Sequence, residues 1–340
     1  MTPIVLAPDA NVPALDIEEA IVGRALTFRR FDESDPGRIP DEAWRTCDAV
    51  LKWKNMRLTA DVIDRLDRCR FIVRVGVGTD NIDVDAARER GIPVANVPNY
   101  GTTEVADHGI ALLLSLARGI EPYQARLRAD LVGGFHAAGV PTVRRLRGSV
   151  FGAIGLGRIG TAMARRAKGF DMDVVYYDPF LPSGHELGFG LRRVKSLEAL
   201  LGEADVVSLH TPLTDATRGI MDADAFSAMK PGSILVNIAR GPLVDFDALE
   251  AALRSGHLAA AGLDVLPEEP PRHPHPLITA WQQREAWIDG RLILTPHAAY
   301  FSAASYHDMR AFSAQTLLDH FAAGVTRDVV NPGWERNRPA

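Results

Sequence analysis

The sequence predicts an α/β fold of two domains, one of them a doubly wound parallel sheet inserted in the other. Three observations predict it. Short apolar runs alternate with helical patterns along the chain, as in a parallel sheet covered by helices. One run, Val150-Phe151-Gly152-Ala153-Ile154, passes straight into Gly155-x-Gly157-x-x-Gly160, then a helical stretch, then Asp173–Tyr177 and Asp178. A long helical pattern, Ala303–Ala323, follows the last apolar run and is expected to return to the first domain. A length of 340 residues supplies core for two domains.

The glycine turn has a chemical reading. Gly155 permits the tight turn, Gly157 lets the backbone approach a pyrophosphate, and Gly160 lets the helix pack on its strand. The free N–H groups of the helix start then face the phosphates. Asp178 lies 23 positions after Gly155, where a carboxylate receives the adenosine ribose hydroxyls. A glycine pattern alone also reads as a bare structural turn. The order strand, turn, helix, strand, acid favours a Rossmann domain binding a dinucleotide. Asp178 favours NAD over NADP, since Pro179 and Phe180 follow it and no adjacent arginine offsets repulsion of a 2′-phosphate.

Bulk properties narrow the function. Hydrophobic content is 46%, charged content 24%, and formal charge −5. That charge leaves no electrostatic footprint for nucleic acid. Residues 1–10 lack a basic region and a long apolar stretch, so no signal peptide is expected. The most apolar segment, 110–116, is too short to cross a bilayer. Cys47 and Cys69 have no metal-ligand spacing and read as reduced thiols of a cytoplasmic protein, with a disulfide left open.

Taken in order, the chain predicts strands at 3–7, 48–51 and 71–75, with a helix at 59–69 that Thr59 opens as N-cap. The third strand runs into Gly76-Val77-Gly78-Thr79-Asp80-Asn81. This reads either as an anion cradle for a substrate carboxylate or as a loop that merely needs glycine. Pro98-Asn99-Tyr100-Gly101 looks like a hinge. The helix from 102 or 103 to 116 is apolar nearly all round at its centre, hence buried. Residues 121–147 are polar and arginine-rich, and read as a protruding arm at a subunit interface or as a solvated helix and loop. Arg144, Arg145 and Arg147 read as a solvated cluster. Further strands are expected at 205–209, 233–238, 261–265 and 292–294, and a helix at 245–253. The domains are then 1–100 with 298–340, the substrate domain, and 101–297, the nucleotide domain.

Arg240, Glu269 and His297 each follow one of these strands. Strand ends on one edge of a doubly wound sheet face the ligand crevice, so the three can converge. Their types suit interconversion of a 2-hydroxy acid and a 2-keto acid. The guanidinium fork of Arg240 can hold a carboxylate. The imidazole of His297 can exchange a proton near neutrality. Glu269 can bond the other ring nitrogen and favour the protonated ring. Singly, each has a plainer reading: a structural histidine, a solvated glutamate, an arginine paired with a surface acid.

The chain resembles the D-isomer-specific 2-hydroxyacid dehydrogenases. The resemblance rests on Arg74-Val75-Gly76-Val77-Gly78-Thr79-Asp80-Asn81-Ile82-Asp83, Asn96-Val97-Pro98, the glycine motif with Asp178, His210-Thr211-Pro212-Leu213, Asn237-Ile238-Ala239-Arg240-Gly241, Gly262-Leu263-Asp264-Val265 and Thr295-Pro296-His297-Ala298. It implies a flavodoxin-like substrate domain. It implies Arg240, Glu269 and His297 as the catalytic trio, with His297 the proton donor in reduction. It implies that Thr103, Arg158, Ile159, Asp178, Thr211, Ala239 and Asp264 line the NAD site. It implies that Val77 and Gly78 bind the substrate carboxylate, and that the arm clasps a second subunit in a homodimer. Two stretches, 177–181 and 295–302, are similar to the branch that includes the C-terminal-binding proteins. That branch carries an aromatic, usually tryptophan, just after the histidine. Tyr300 stands there, which implies an aromatic wall in the substrate pocket.

One stretch departs from the family. The link from Glu269 to His297 is longer than usual and holds His273-Pro274-His275-Pro276 and a helical stretch with Trp281 and Trp287, an inserted helix and candidate lid. The His-Pro run reads as a stiff loop, not a metal site. The expectation is an NAD-dependent reductase of a small 2-keto acid. The alternatives are an NAD(H)-sensing corepressor-like protein and a D-3-phosphoglycerate dehydrogenase. The last needs a cationic phosphate pocket, with Arg74 and Lys54 as candidates. No regulatory extension is recognised beyond Asn331.

Overall fold

The computed structural model describes residues 2–337. They form two compact units, one built from the chain up to Gly101 and from Ser302 onward, the other from Thr102–Phe301.

The first unit begins with β1 (Ile4–Ala7), α1 (Asp16–Val22), β2 (Thr27–Arg30), α2 (Asp41–Thr46), β3 (Ala49–Lys52), α3 (Ala60–Ile63), β4 (Phe71–Arg74), α4 (Val84–Glu89) and β5 (Val94–Ala95). Among the described residues its strands pair in the order β2-β1-β3-β4-β5, all parallel. That is the flavodoxin-like order. Leu6, Val50 and Ile72 from successive strands pack with Trp44, Met56 and Ile63 on one face. At the end of β3 the Lys52 ammonium is fully buried and paired with Asp9 at 2.9 Å. Asp9 also accepts the backbone N–H groups of Trp53 and Met56. Burial pushes the Lys52 pKa down to about 8, against the pull of Asp9. The two thiols, Cys47 and Cys69, are buried and not joined in a disulfide.

The second unit carries α5 (Thr102–Ala117), α6 (Ile120–Ala129), β6 (Val150–Ile154), α7 (Arg158–Gly169), β7 (Asp173–Tyr177), β8 (Arg192–Arg193), α8 (Leu197–Glu203), β9 (Val206–Leu209), α9 (Ala223–Ala228), β10 (Ser233–Asn237), α10 (Phe246–Arg254), β11 (Leu258–Leu263), α11 (Pro276–Gln282) and β12 (Leu292–Leu294). Its strands, all parallel, run β12-β11-β10-β9-β6-β7-β8. Counted from β6, this is the doubly wound order of a dinucleotide-binding sheet with one further strand on the β12 edge. Strand residues alternate between faces. Ile234 and Val236 pack with Leu113 and Met163 on one side; Leu235 packs with Leu249 and Leu253 on the other. The chain returns to the first unit at Ser302, whose side chain caps α12 (Ala303–Ala323) in a capping box with Ser305. No helix among the described residues is long and apolar enough to cross a membrane.

Four expectations are corrected. The helix at 59–69 spans only Ala60–Ile63, and the Thr59 side chain makes no cap hydrogen bond. Beyond it, the Asp64 and Leu66 carbonyls accept from Arg90, a side-chain competitor that no local pattern announces. Three strands were not expected: β2 carries the polar run Thr-Phe-Arg-Arg at a sheet edge, and β5 and β8 are two residues long each. Arg144 is not solvated. It is half-buried, donates to the Thr142 and Gly232 carbonyls, and burial lowers its pKa. The inserted helix α11 is no lid. Leu277, Ile278, Ala280 and the following Ile288 are buried in the second unit's core. His275 caps it, its Nδ1 accepting from Leu277 N and its Nε2 meeting Asp247 at 2.9 Å. Among the described residues, no group of three or more His, Cys, Asp or Glu is placed to hold a metal.

Candidate active site in the second unit

The ends of β10, β11 and β12 lie side by side on one edge, since the three strands are adjacent and parallel. Asn237, the last residue of β10, shapes the turn that follows. Its Oδ1 accepts Ala239 N at 3.0 Å and its Nδ2 donates to Arg240 O at 2.8 Å. One Nη of Arg240 donates to Ala239 O at 2.7 Å. The turn is close to the segment after β11: a Cβ on Gly241 would sit 2.0 Å from Leu266 C and O. In that segment Glu269 accepts Leu266 N through Oε1 at 3.1 Å. Its Oε2 lies 2.6 Å from His297 Nδ1. The Tyr300 ring stands edge-on to the His297 ring, centroids 6.3 Å apart. His297 and Glu269 are each about a quarter exposed, so the pair is open to a substrate and sheltered from bulk water.

Asp264 links these ends. It is buried, its N–H bonds Asn237 O, and its carbonyl accepts His297 N at 2.7 Å. Its carboxylate accepts Ala298 N, Ala299 N and the Thr295 hydroxyl. The Thr295 oxygen also meets His108 Nε2 from α5 at 2.9 Å. Sequence reading missed His108. The only local signal is a histidine inside an apolar helix, and its partner is 187 positions away.

The glycine turn sits at the switch point between β6 and β9, where the strand order reverses. The three glycines differ in what they face. Gly155 has φ +89, and a Cβ there would come 3.1 Å from His210 C and O. A Cβ on Gly160 would lie 2.3 Å from Gly155 O, which is the close packing of helix on turn. A Cβ on Gly157 would meet nothing within 4 Å. That space lies at the start of α7, whose first residues are Arg158 and Ile159. Asp178, just past β7, accepts Leu156 N at 3.0 Å and so is fixed against the same turn. Across the switch point, Thr211 Oγ1 and both ring nitrogens of His210 are buried without a protein partner. Burial keeps that imidazole neutral, its pKa pushed down to about 3. Orphan polar atoms are rare in folded proteins. Set beside an open backbone cradle and the Asp178 carboxylate, they fit a dinucleotide. Thr103 is in the first turn of α5, which Arg166 of α7 ties to Asp107 at 2.6 Å. Gly157→Val is expected to preserve the fold and raise the NADH Kd by about 10- to 100-fold, the loss of one charged hydrogen bond. Fluorescence titration showing an unchanged Kd would refute the cradle.

Of the remaining candidates, Val77 and Gly78 belong to the first unit, in the loop after β4. That loop is pinned by Asn96 Nδ2 to Val77 O at 2.7 Å and by Val97 N to Gly76 O. Arg74 turns a guanidinium nitrogen onto Val75 O, while Lys54 is exposed.

Residues 110–299 match the family described as D-isomer specific 2-hydroxyacid dehydrogenase, NAD binding domain. A D-3-phosphoglycerate dehydrogenase of Methanocaldococcus jannaschii is 39% identical over 290 residues, 85% of this chain and 53% of that protein. The chain thus spans about half the length of the phosphoglycerate dehydrogenases it matches. A glyoxylate reductase of Korarchaeum cryptofilum is 35% identical over 312 residues, 91% of this chain and 90% of that one. Among solved structures, an NADPH-dependent glyoxylate/hydroxypyruvate reductase of Sinorhizobium meliloti, in complex with NADP and malonate, superposes with a TM-score of 0.85 at 28% identity, covering 100% of this chain and 99% of that one.

Proposed function

Since the chain belongs to the D-isomer-specific 2-hydroxyacid dehydrogenases, we propose that it interconverts a small 2-keto acid and the D-2-hydroxy acid, with His297 exchanging the proton. NADH supplies the hydride to C2. The His297–Glu269 contact at 2.6 Å carries the reading. Glu269 accepts from Nδ1, fixes the ring, and leaves Nε2 to protonate the oxygen at C2. Arg240 holds the substrate carboxylate in its fork. Val77 and Gly78, in the loop after β4 of the first unit, are assigned to substrate binding, and Tyr300 to the substrate side chain. Thr103, Gly155, Gly157, Arg158, Ile159, Gly160, Asp178, Thr211, Ala239 and Asp264 are assigned to the cofactor.

The test is NADH consumption against glyoxylate, pyruvate, hydroxypyruvate, 2-ketobutyrate and phenylpyruvate. Turnover of at least one, giving the D product, is expected. Silence across the panel, alongside NADH-driven dimerisation, would favour the corepressor-like sensor instead. D-3-phosphoglycerate oxidation is kept as the runner-up, with Arg74 and Lys54 as the candidates for its phosphate.

The arm is assigned to a homodimer contact. Leu131, Val132 and Phe135 after α6 are 70%, 87% and 81% exposed, an apolar patch of the kind that marks interaction sites. Changing all three to Asp should turn a dimer into a monomer in sedimentation equilibrium; an unaltered dimer would move the contact elsewhere. The two buried free thiols suit the reducing cytoplasm, and recovery of the native protein outside it would overturn that placement.

A further inference from the structure

The backbone of His297 stands at φ +53. That left-handed conformation is disfavoured for a residue with a Cβ, and such strain persists where the surroundings over-determine it. Here the surroundings are one buried carboxylate. Asp264 Oδ1 accepts Ala298 N at 2.9 Å, and Oδ2 accepts Ala299 N at 3.0 Å. Together with the bond from His297 N to Asp264 O, these fix three successive residues of the turn.

The carboxylate is itself held. Thr295 Oγ1 lies 2.6 Å from Asp264 Oδ1. An ionised carboxylate only accepts, so the single hydroxyl proton points to Asp264. The lone pairs that remain on Thr295 face His108 Nε2 at 2.9 Å, so that nitrogen carries the proton and donates. His108 Nε2 is also 3.6 Å from Asp264 Oδ1. Its neighbours along α5, Val105, Ile110 and Leu112, are buried and apolar.

We propose that His108 is a positioning residue for the proton-exchanging histidine: through Thr295 it sets the Asp264 carboxylate, which fixes the strained turn at 297–299. Its kinetic consequence rests on the dehydrogenase reading; its geometric consequence does not. His108 acts on the turn by a chain of three hydrogen bonds, His108 to Thr295, Thr295 to Asp264, and Ala298 to Asp264.

The test compares His108→Leu with His108→Gln in the full-length chain. Leucine keeps apolar bulk in the helix and removes the donor. Glutamine restores a donor of similar reach and does not titrate. In keto-acid reduction by NADH, His108→Leu is expected to lower kcat by about 10- to 100-fold, the cost of a small misplacement of a reacting group. The keto-acid KM should change by less than about twofold, the pattern of an interaction that matters in the transition state. His108→Gln should regain most of the lost kcat. In spectra of protein labelled with ¹⁵N-histidine, the His297 ring resonances should move in the leucine variant and return in the glutamine variant. An unchanged kcat with unmoved His297 resonances would overturn the proposal. So would a glutamine variant no better than leucine when both melt at the wild-type temperature. An inactive wild-type chain whose His297 resonances still respond to His108→Leu would sink the dehydrogenase reading and leave the positioning role standing.

Discussion

His297→Asn should lower kcat by roughly 10²–10⁴-fold, the usual contribution of a positioned proton donor, with NADH binding preserved. Asparagine suits the test because it tolerates the left-handed backbone that residue 297 adopts. The turn, and the Asp264 bonds to Ala298 and Ala299 that hold it, therefore survive the change. What is lost is an imidazole fixed on Glu269 at 2.6 Å. The cofactor turn, on β6 and α7, is untouched. Stopped-flow reduction of the best keto acid, with NADH affinity from fluorescence titration, separates the two effects. A near-normal rate would remove His297 from proton exchange.

NADH should be preferred over NADPH by roughly 10²–10³-fold in kcat/KM. A 2′-phosphate about 4 Å from the Asp178 carboxylate meets a repulsion of a few kcal/mol at an effective dielectric near 20. Asp178 cannot easily swing aside. Its two oxygens accept Leu156 N and Phe180 N, each at 3.0 Å. The expectation that no arginine stands nearby needs amending. Arg193, on β8, reaches the Asp178 carbonyl from 15 positions away. Its guanidinium also bonds the Leu181 and Pro182 carbonyls, so it is committed to shaping the 178–182 loop. The preference therefore stands. The Sinorhizobium meliloti relative, described as NADPH-dependent, makes this a real choice within the fold. Steady-state kinetics with both nucleotides decide it, and equal efficiencies would show that Arg193 leaves its carbonyls to receive the phosphate.

How much of this was legible in the sequence depends on the range of the forces involved. The strands β6, β7 and β9 to β12 announce themselves because both faces of the sheet are buried there and each reads as a short apolar run, whereas β8, two arginines at the sheet edge, does not. The glycine turn is legible because its demands are local. Arg240, Glu269 and His297 were recognisable as residues following strands, and parallel order brings those ends to one edge. What the residues alone did not carry is contact between distant parts of the chain. The short α3 reflects carbonyls taken by Arg90. Arg144 is drawn in by the Gly232 carbonyl. His108 meets Thr295 across most of the second unit. The edge strand β2, polar in composition, is held by its pairing with β1. The inserted segment reads as a candidate lid because it lengthens the link from Glu269 to His297 with a helical stretch beside the site. Ile288 and Leu277 bury it instead.

The contrast among the three glycines reaches past this chain. Two of them answer to the scaffold: Gly155 to its dihedral and Gly160 to the oxygen it presses against. Only Gly157 opens on unfilled space, which the proposed reading gives to the cofactor. In a lineage that gave up the nucleotide but kept the architecture, drift would begin at the middle position while the outer two persisted. A side chain there would mark a retired relative before any assay was run.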